Sequence, residues 1–209
     1  MYLSGSQCFR LAIMASGRGS NMESILDAID EGSLQMRPAV VISDKQGAQA
    51  LKKARDRGIT CEVLPFEDYD GRDDYGRAIL DVLGDYEVEV VALAGFMRVL
   101  SEVIVHGFEG PIFNIHPSLL PAFRGLNAQK QALQQGVKVS GCTVHFVDEG
   151  VDTGPIILQA VVPVYQDDDV ESLSLRILKW EHRLYPRALR LWGEDRLQLS
   201  EGRVRILDE

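Results

Sequence analysis

An α/β fold, built on a mostly parallel sheet with helices on both faces and closed by a C-terminal β-hairpin, is predicted by three observations on this 209-residue chain. From Phe9 to Ile115 short apolar runs alternate with segments of helical periodicity, the pattern of parallel strands joined by crossover helices. A turn carrying two glycines, Ser16-Gly-Arg-Gly-Ser-Asn21, joins the first such strand to the first helix. Beyond about residue 137 the pattern changes to two long β-rich runs, one long helix and an alternating tail.

Residues 9–15 form the first strand. A helix follows from Met22 to about Glu31, with Met22, Ile25, Leu26 and Ile29 at helical spacing. Residues 39–43 read as a second strand, 48–57 as a second helix and 61–64 as a third strand. The stretch 72–83 is helical, with Tyr75, Ala78, Ile79 and Val82 on one face. Residues 88–94 are apolar almost throughout, as in a strand covered on both faces. A short helix is expected over 101–105 and a fifth strand over 111–115. Runs 137–147 and 155–164 are β-rich and flank an acidic turn, Asp148-Glu-Gly-Val-Asp-Thr-Gly154. Asp168 is placed to cap a long helix reaching about Arg190. Leu173, Leu175, Ile177, Leu178, Leu184 and Leu189 are its candidates for burial, and Pro186 would kink its end. The tail, 197–207, alternates around Glu201-Gly202 and reads as a hairpin. No repeat, low-complexity tract or linker interrupts the chain, so one domain is expected over 1–209.

Bulk properties narrow the function. A charge of −9 argues against broad nucleic-acid binding, which needs basic surface to replace counterions. A small anionic substrate remains compatible, because backbone amides bind phosphate inside acidic proteins. No apolar run reaches membrane-spanning length, and the N-terminus lacks the basic-then-apolar layout of a secretory signal, so a cytoplasmic location is expected. Cys8, Cys61 and Cys142 form no Cys-x-x-Cys pair and read as reduced thiols. His106, His116, His145 and His182 show no metal-ligand spacing, so no metal is expected.

Three constellations carry chemistry. The turn 16–21 offers glycine backbone and a helix N-terminus to an anion, with Ser20 or Asn21 as the cap. It lacks the third glycine of a dinucleotide fingerprint and the Lys-Ser/Thr of a triphosphate loop, so a phosphate monoester is favoured. Asn114 and His116 end the fifth strand two residues apart and point to one side, ahead of Pro117 and Pro121. Asp152 lies between Gly150 and Gly154. Taken singly, each has a purely structural alternative: a glycine-rich turn, a satisfied strand-end histidine, a solvated turn acid. Together they supply an amide donor, an acid/base group and an orienting carboxylate.

The motifs Gly17-Arg-Gly-Ser-Asn21, Leu93-Ala-Gly-Phe-Met-Arg98, Asn114-Ile-His-Pro-Ser-Leu-Leu-Pro121, Val144-His-Phe-Val147 and Val151-Asp-Thr-Gly-Pro-Ile-Ile-Leu-Gln159 resemble, in order, those of the phosphoribosylglycinamide formyltransferase family. The likeness runs from about residue 9 to Tyr185. It implies the Rossmann-like formyltransferase fold, with a phosphate-binding half (about 9–115), a folate and catalytic half (about 116–190) and a tail hairpin (191–209). It also implies transfer of a formyl group from the co-substrate 10-formyltetrahydrofolate to the amine of glycinamide ribonucleotide, in a monomer or homodimer. By the same resemblance Asn114, His116 and Asp152 are catalytic. Gly17, Arg18, Gly19, Ser20, Asn21 and Glu181 hold the substrate phosphate and ribose. The folate contacts are Arg72, Phe96, Met97, Arg98, Val99, Leu100, Asn114 and the turn of Asp148, Glu149, Gly150 and Val151. An arginine suits a glutamyl carboxylate because its fork pairs bidentately. The loop from Phe123 to about Lys130 is expected to move over the substrate.

The chain departs from the family after Gly125, where many relatives carry histidine and this chain has Asn127 or Gln129. It departs again at Leu178, where a polar phosphate partner is replaced and Lys179 or Arg176 would compensate. Methionyl-tRNA formyltransferase resembles the segment Ser118–Gly125 but needs a further C-terminal domain and basic surface. Formyltetrahydrofolate deformylase needs a further N-terminal domain. A nicotinamide-dependent oxidoreductase is disfavoured by the missing third glycine.

Overall fold

The structure is a computed structural model and describes residues 8–207. Strands β1 (Phe9–Met14), β2 (Met36–Ser43), β3 (Cys61–Val63), β4 (Val90–Leu93) and β5 (Ile112–His116) run parallel. β6 (Val139–Phe146) and β7 (Ile156–Pro163) add to the β5 side in antiparallel sense. All seven belong to one sheet, in the order β3-β2-β1-β4-β5-β6-β7. The sheet therefore crosses the expected division near residue 116 without a break.

Side-chain alternation along the strands divides the core into two layers. Leu11 and Ile13 of β1 point into one layer, with buried residues of α1 (Ser20–Asp30), α2 (Gln49–Asp56) and α6 (Val170–Gly193). Ala12 and Met14 point into the other, with α3 (Arg72–Asp85) and α4 (Glu102–Gly107). Helices thus cover both faces. Each fully buried Leu, Ile or Met side chain contributes roughly 1.5–3 kcal/mol, which explains why β1 and β4 are apolar on both sides.

Several boundaries differ from the sequence reading. β2 starts at Met36, earlier than residue 39, although it contains Pro38. The β1–β2 ladder pairs Leu11 with Pro38 and Ala12 with Val40, so Ala39 is an extra residue that takes up the irregularity beside a proline with no N–H. Asp169, not Asp168, caps α6: its carboxylate accepts from the Ser172 amide in a capping box. Asp168 instead binds the Arg176 guanidinium and the Tyr165 amide. Leu175 is on the solvent side of α6, 51% exposed, while Leu173, Ile177, Leu184 and Leu189 are buried. The helix runs through Pro186 to Gly193. A helix not expected from the sequence, α5 (Ala128–Gln134), begins inside the segment read as a mobile loop.

The tail forms the expected hairpin, β8 (Leu197–Ser200) with β9 (Arg203–Ile206), through left-handed Glu201 and Gly202. It packs on its own chain, with Leu197 and Val204 against the core. Tyr185, fully buried on α6, points its hydroxyl at the carbonyls of Leu93 and Phe113, 3.0 Å from each. That contact anchors α6 across β4 and β5. The loops following β1, β4 and β5 all emerge at the carboxyl end of the parallel strands, where open α/β sheets bind ligands.

Candidate active site

Register builds the centre of the site. Asn114 and His116 share one side of β5, and on β6 Asn114 faces His145 while His116 faces Thr143. Directly opposed antiparallel residues point the same way, so His145 joins the pair. The β6–β7 ladder slips between Val144 and His145, a bulge of the kind that re-aims a side chain. Asp152 enters from the β6–β7 turn in a left-handed conformation, φ 52°, which an Asp tolerates better than a branched residue. Of its neighbouring glycines, Gly154 is required, since a Cβ there would lie 1.9 Å from the Phe146 carbonyl, while one on Gly150 would displace the Thr153 hydroxyl, 2.0 Å away.

Asp152 is the hub. One carboxylate oxygen accepts from the Gly125 amide at 2.8 Å and lies 3.2 Å from His116 Nδ1. The other accepts from Asn114 Nδ2 at 3.3 Å and is 3.6 Å from His145 Nε2. Asn114 Nδ2 is also 3.1 Å from His145 Nε2, and His145 Nδ1 is 2.7 Å from the Phe146 carbonyl. A carbonyl only accepts, so His145 carries a proton on Nδ1. His116 faces acceptors at both nitrogens, Asp152 at Nδ1 and the Phe123 carbonyl at Nε2, 2.8 Å away. Burial opposes the charge on Asp152, but the His145 contact, the Gly125 amide and the nearby His116 outweigh it and hold the carboxyl below its usual range.

The loop after β5 is fastened to this centre. The Thr143 hydroxyl donates to the Ser118 carbonyl at 2.7 Å and accepts from the Leu120 amide at 3.1 Å. Further along, Phe123 and Gly125 make the contacts to His116 and Asp152. Lys130, taken from sequence as the loop's far end, lies within α5.

The glycine turn differs in one respect from its sequence reading. Gly19 is the N-cap of α1, left-handed at φ 73°, and no side chain caps the helix, so neither Ser20 nor Asn21 does. A Cβ on Gly19 would lie 2.7 Å from Ala50 Cβ, whereas one on Gly17 would meet nothing. The tight backbone approach therefore depends on Gly19. Asn21 instead reaches across to α6, donating from Nδ2 to Glu181 Oε2 at 2.8 Å. Both residues are buried, and burial pushes the Glu181 carboxyl above its usual range despite the Asn21 bond. Arg18 and Ser20 flank the same helix start, Arg18 exposed and Ser20 half-buried. Arg176 does not take the place of the partner lost at Leu178, because Asp168 and the Pro163 carbonyl hold its guanidinium.

Beside Asn114 lies a cavity of about 250 Å³. Phe96, Met97, Arg98, Val99 and Leu100 line one wall; Asp148, Gly150, Val151 and Asp152 line another. Two residues expected there are absent from the lining. Arg72 is exposed at the start of α3, and Glu149 pairs with His106 at 2.8 Å. The cavity also takes in Pro117, Gly125, Leu126, His145 and Val147, which were not among the expected folate contacts. Among the described residues no group of three or more His, Cys, Asp or Glu side chains is arranged to hold a metal. Burial pushes the Cys142 thiol up to about 12, which makes it inert.

The family profile described as formyl transferase matches residues 9–189. The chain belongs to the formyl transferase family. A curated member, phosphoribosylglycinamide formyltransferase of Bacillus subtilis (strain 168), is 40% identical over 181 residues, which are 87% of this chain and 93% of that protein. The trifunctional purine biosynthetic protein adenosine-3 of Homo sapiens is 45% identical over 193 residues, 92% of this chain. The chain spans 19% of that protein's length. The crystal structure of glycinamide ribonucleotide transformylase 1 from Symbiobacterium toebii superposes with a TM-score of 0.96 at 50% identity, covering 100% of this chain and 98% of that one. In this formyl transferase the Asn114–His116–Asp152 cluster lies beside the switch from parallel to antiparallel pairing, between β5 and β6.

Proposed function

We propose that the protein transfers a formyl group from 10-formyltetrahydrofolate to the primary amine of glycinamide ribonucleotide, as a step in purine synthesis. The observation that carries this reading is the convergence of Asn114, His116 and Asp152 beside an apolar cavity, with the bare start of α1 and the Asn21–Glu181 pair also in the fold. The apolar wall suits a flat pterin, and Arg72, exposed at the start of α3, suits a glutamyl carboxylate. The amides of Gly19, Ser20 and Asn21 suit a phosphate, and the Glu181 carboxyl suits ribose hydroxyls.

In the proposed step the amine lone pair forms a bond to the formyl carbon, and the carbonyl electrons move to oxygen. Protonated His116 stabilises that oxyanion by charge and hydrogen bonding, with the Asn114 amide beside it. Collapse returns the electrons, breaks the bond to the folate nitrogen and passes that nitrogen a proton lost by the amine. Asp152 orients His116 and supports the proton's movement. To reach the formyl oxygen, His116 Nε2 must exchange the Phe123 carbonyl for it, so catalysis is coupled to a shift of the loop.

The test is a formyl-transfer assay with glycinamide ribonucleotide, other amines, and water as the only acceptor. Formylation of glycinamide ribonucleotide alone is expected. Equal turnover with water alone would favour a deformylase and overturn the reading. Thermal stabilisation by the ribonucleotide and by a folate analogue, but not by NAD, is the companion expectation.

A further inference from the structure

The wall of the cavity contributed by residues 96–100 is held from behind by a buried charge that no role described above uses. Asp44 follows β2 directly, and its side chain is 0% exposed. One carboxylate oxygen accepts from Arg98 Nε at 3.0 Å; the other has no partner among the described residues. The Arg98 guanidinium also lies over the Phe66 ring, 4.7 Å from its centroid, an attraction between cation and ring face. Arg98 is thus the counter-charge of a sealed carboxylate, and its position is fixed in both distance and plane. On its other side the segment is tied to the β1 loop, where the Met97 amide donates to Ser16 Oγ at 2.9 Å. Met97 and Val99, 59% and 46% exposed, stand on either side of Arg98 and face the cavity.

A carboxylate out of contact with water needs its partner, so the pair confines Arg98 more tightly than a surface ion pair would. We propose that Asp44, acting through Arg98 and Phe66, is a positioning residue for formyl-folate: it sets the shape of the 96–100 wall on which the pterin rests. It touches neither substrate. The inference rests on the proposed function for the identity of the ligand, while the clamp itself rests on the geometry alone. Arg98 accordingly acts as a strut and is not the arginine that pairs with a glutamyl tail.

The test is steady-state kinetics on Asp44→Ala, Asp44→Asn and Arg98→Leu, with direct binding of a non-reactive folate analogue by calorimetry. Asp44→Ala is expected to raise KM for formyl-folate, and Kd for the analogue, by roughly tenfold. Its kcat and its KM for the amine substrate should stay within about threefold. Asp44→Asn keeps an acceptor for Arg98 and should recover part of the loss. The double variant Asp44→Ala/Arg98→Leu should bind the analogue no worse than the weaker single variant, since the two act as one unit. Measurements are made at a temperature where all variants are folded. Unchanged analogue binding in Asp44→Ala, or an equal loss for both substrates, would overturn the clamp while leaving the enzymatic reading in place. A wild-type protein that binds no folate analogue would overturn both.

Discussion

Asp152 gathers contacts from three segments, so its substitution tests the centre as a unit. Asparagine is nearly isosteric but removes the charge facing His116 and gives one of the acceptor positions an N–H₂ group. Asp152→Asn is expected to lower kcat by roughly 10²–10⁴-fold, the range for loss of positioned acid–base catalysis, with a smaller change in KM. Asn114→Ala and His116→Ala should fall in the same range, measured beside circular dichroism to confirm folding; near wild-type turnover would remove that residue from the mechanism. The Asp152 carboxyl is held below its usual range in the fold. Its charged form therefore adds stability above the ordinary value of 3.8, and this is lost as pH falls through the lower native value. A pH series of melting temperatures should show wild type and Asp152→Asn differing most above about pH 4 and converging in strong acid. Three of the four polar side chains at this centre were legible from spacing. His145 was not, because only the β5–β6 register sets it opposite Asn114, and its motif Val144-His-Phe-Val147 reads equally well as a strand with a buried imidazole.

Elements were legible where periodicity and turn chemistry agreed. The strand–helix alternation through β5, the hairpin at Glu201-Gly202 and the long α6 follow from patterns within one element. The misses came from competition between neighbours. Asp168 and Asp169 are both good caps, and the choice falls to Asp169 because Ser172 stands three residues on while Arg176 claims Asp168. α5 is short and begins after a left-handed Asn127, a start that carries no apolar stripe in the sequence. At α1 the same kind of detail has an energetic consequence. Gly19 combines a left-handed φ with a Cβ position 2.7 Å from Ala50 Cβ and 2.9 Å from Ala50 Cα. Gly19→Ala therefore meets backbone as well as side chain, and the two helix starts must separate. The expected cost is about 2–4 kcal/mol, combining left-handed strain with overpacking, visible as a lower denaturation midpoint. Gly17→Ala, at an open position, should cost less than about 1 kcal/mol. An equal loss for both would show that the close approach of α1 to α2 does not matter.

At the scale of the whole molecule, the first and last long helices meet through two polar residues in an apolar layer. Asn21 and Glu181 are 160 positions apart, yet share a 2.8 Å hydrogen bond beneath the glycine turn. Burial raises the Glu181 carboxyl above the ordinary 4.5, and the Asn21 bond offsets only part of that. The sign follows. As pH rises through 4.5 the unfolded chain ionises first, so stability contributed by the protonated form below that pH is lost, until the native carboxyl ionises in turn. Above that range the fold carries the cost of keeping this carboxyl out of water. Glu181→Gln removes the charge while its amide oxygen still accepts from Asn21. The melting temperature of this variant should match wild type below about pH 4 and exceed it at neutral pH by about 2–4 °C, the shift for roughly 1 kcal/mol in a domain of this size. Under the proposed function the same change weakens the grip on ribose, so KM for the amine substrate rises while KM for formyl-folate stays put. A variant that gains no stability at neutral pH would mean that solvent reaches the carboxylate. One that gains stability and keeps its KM would separate the buried pair from substrate binding altogether.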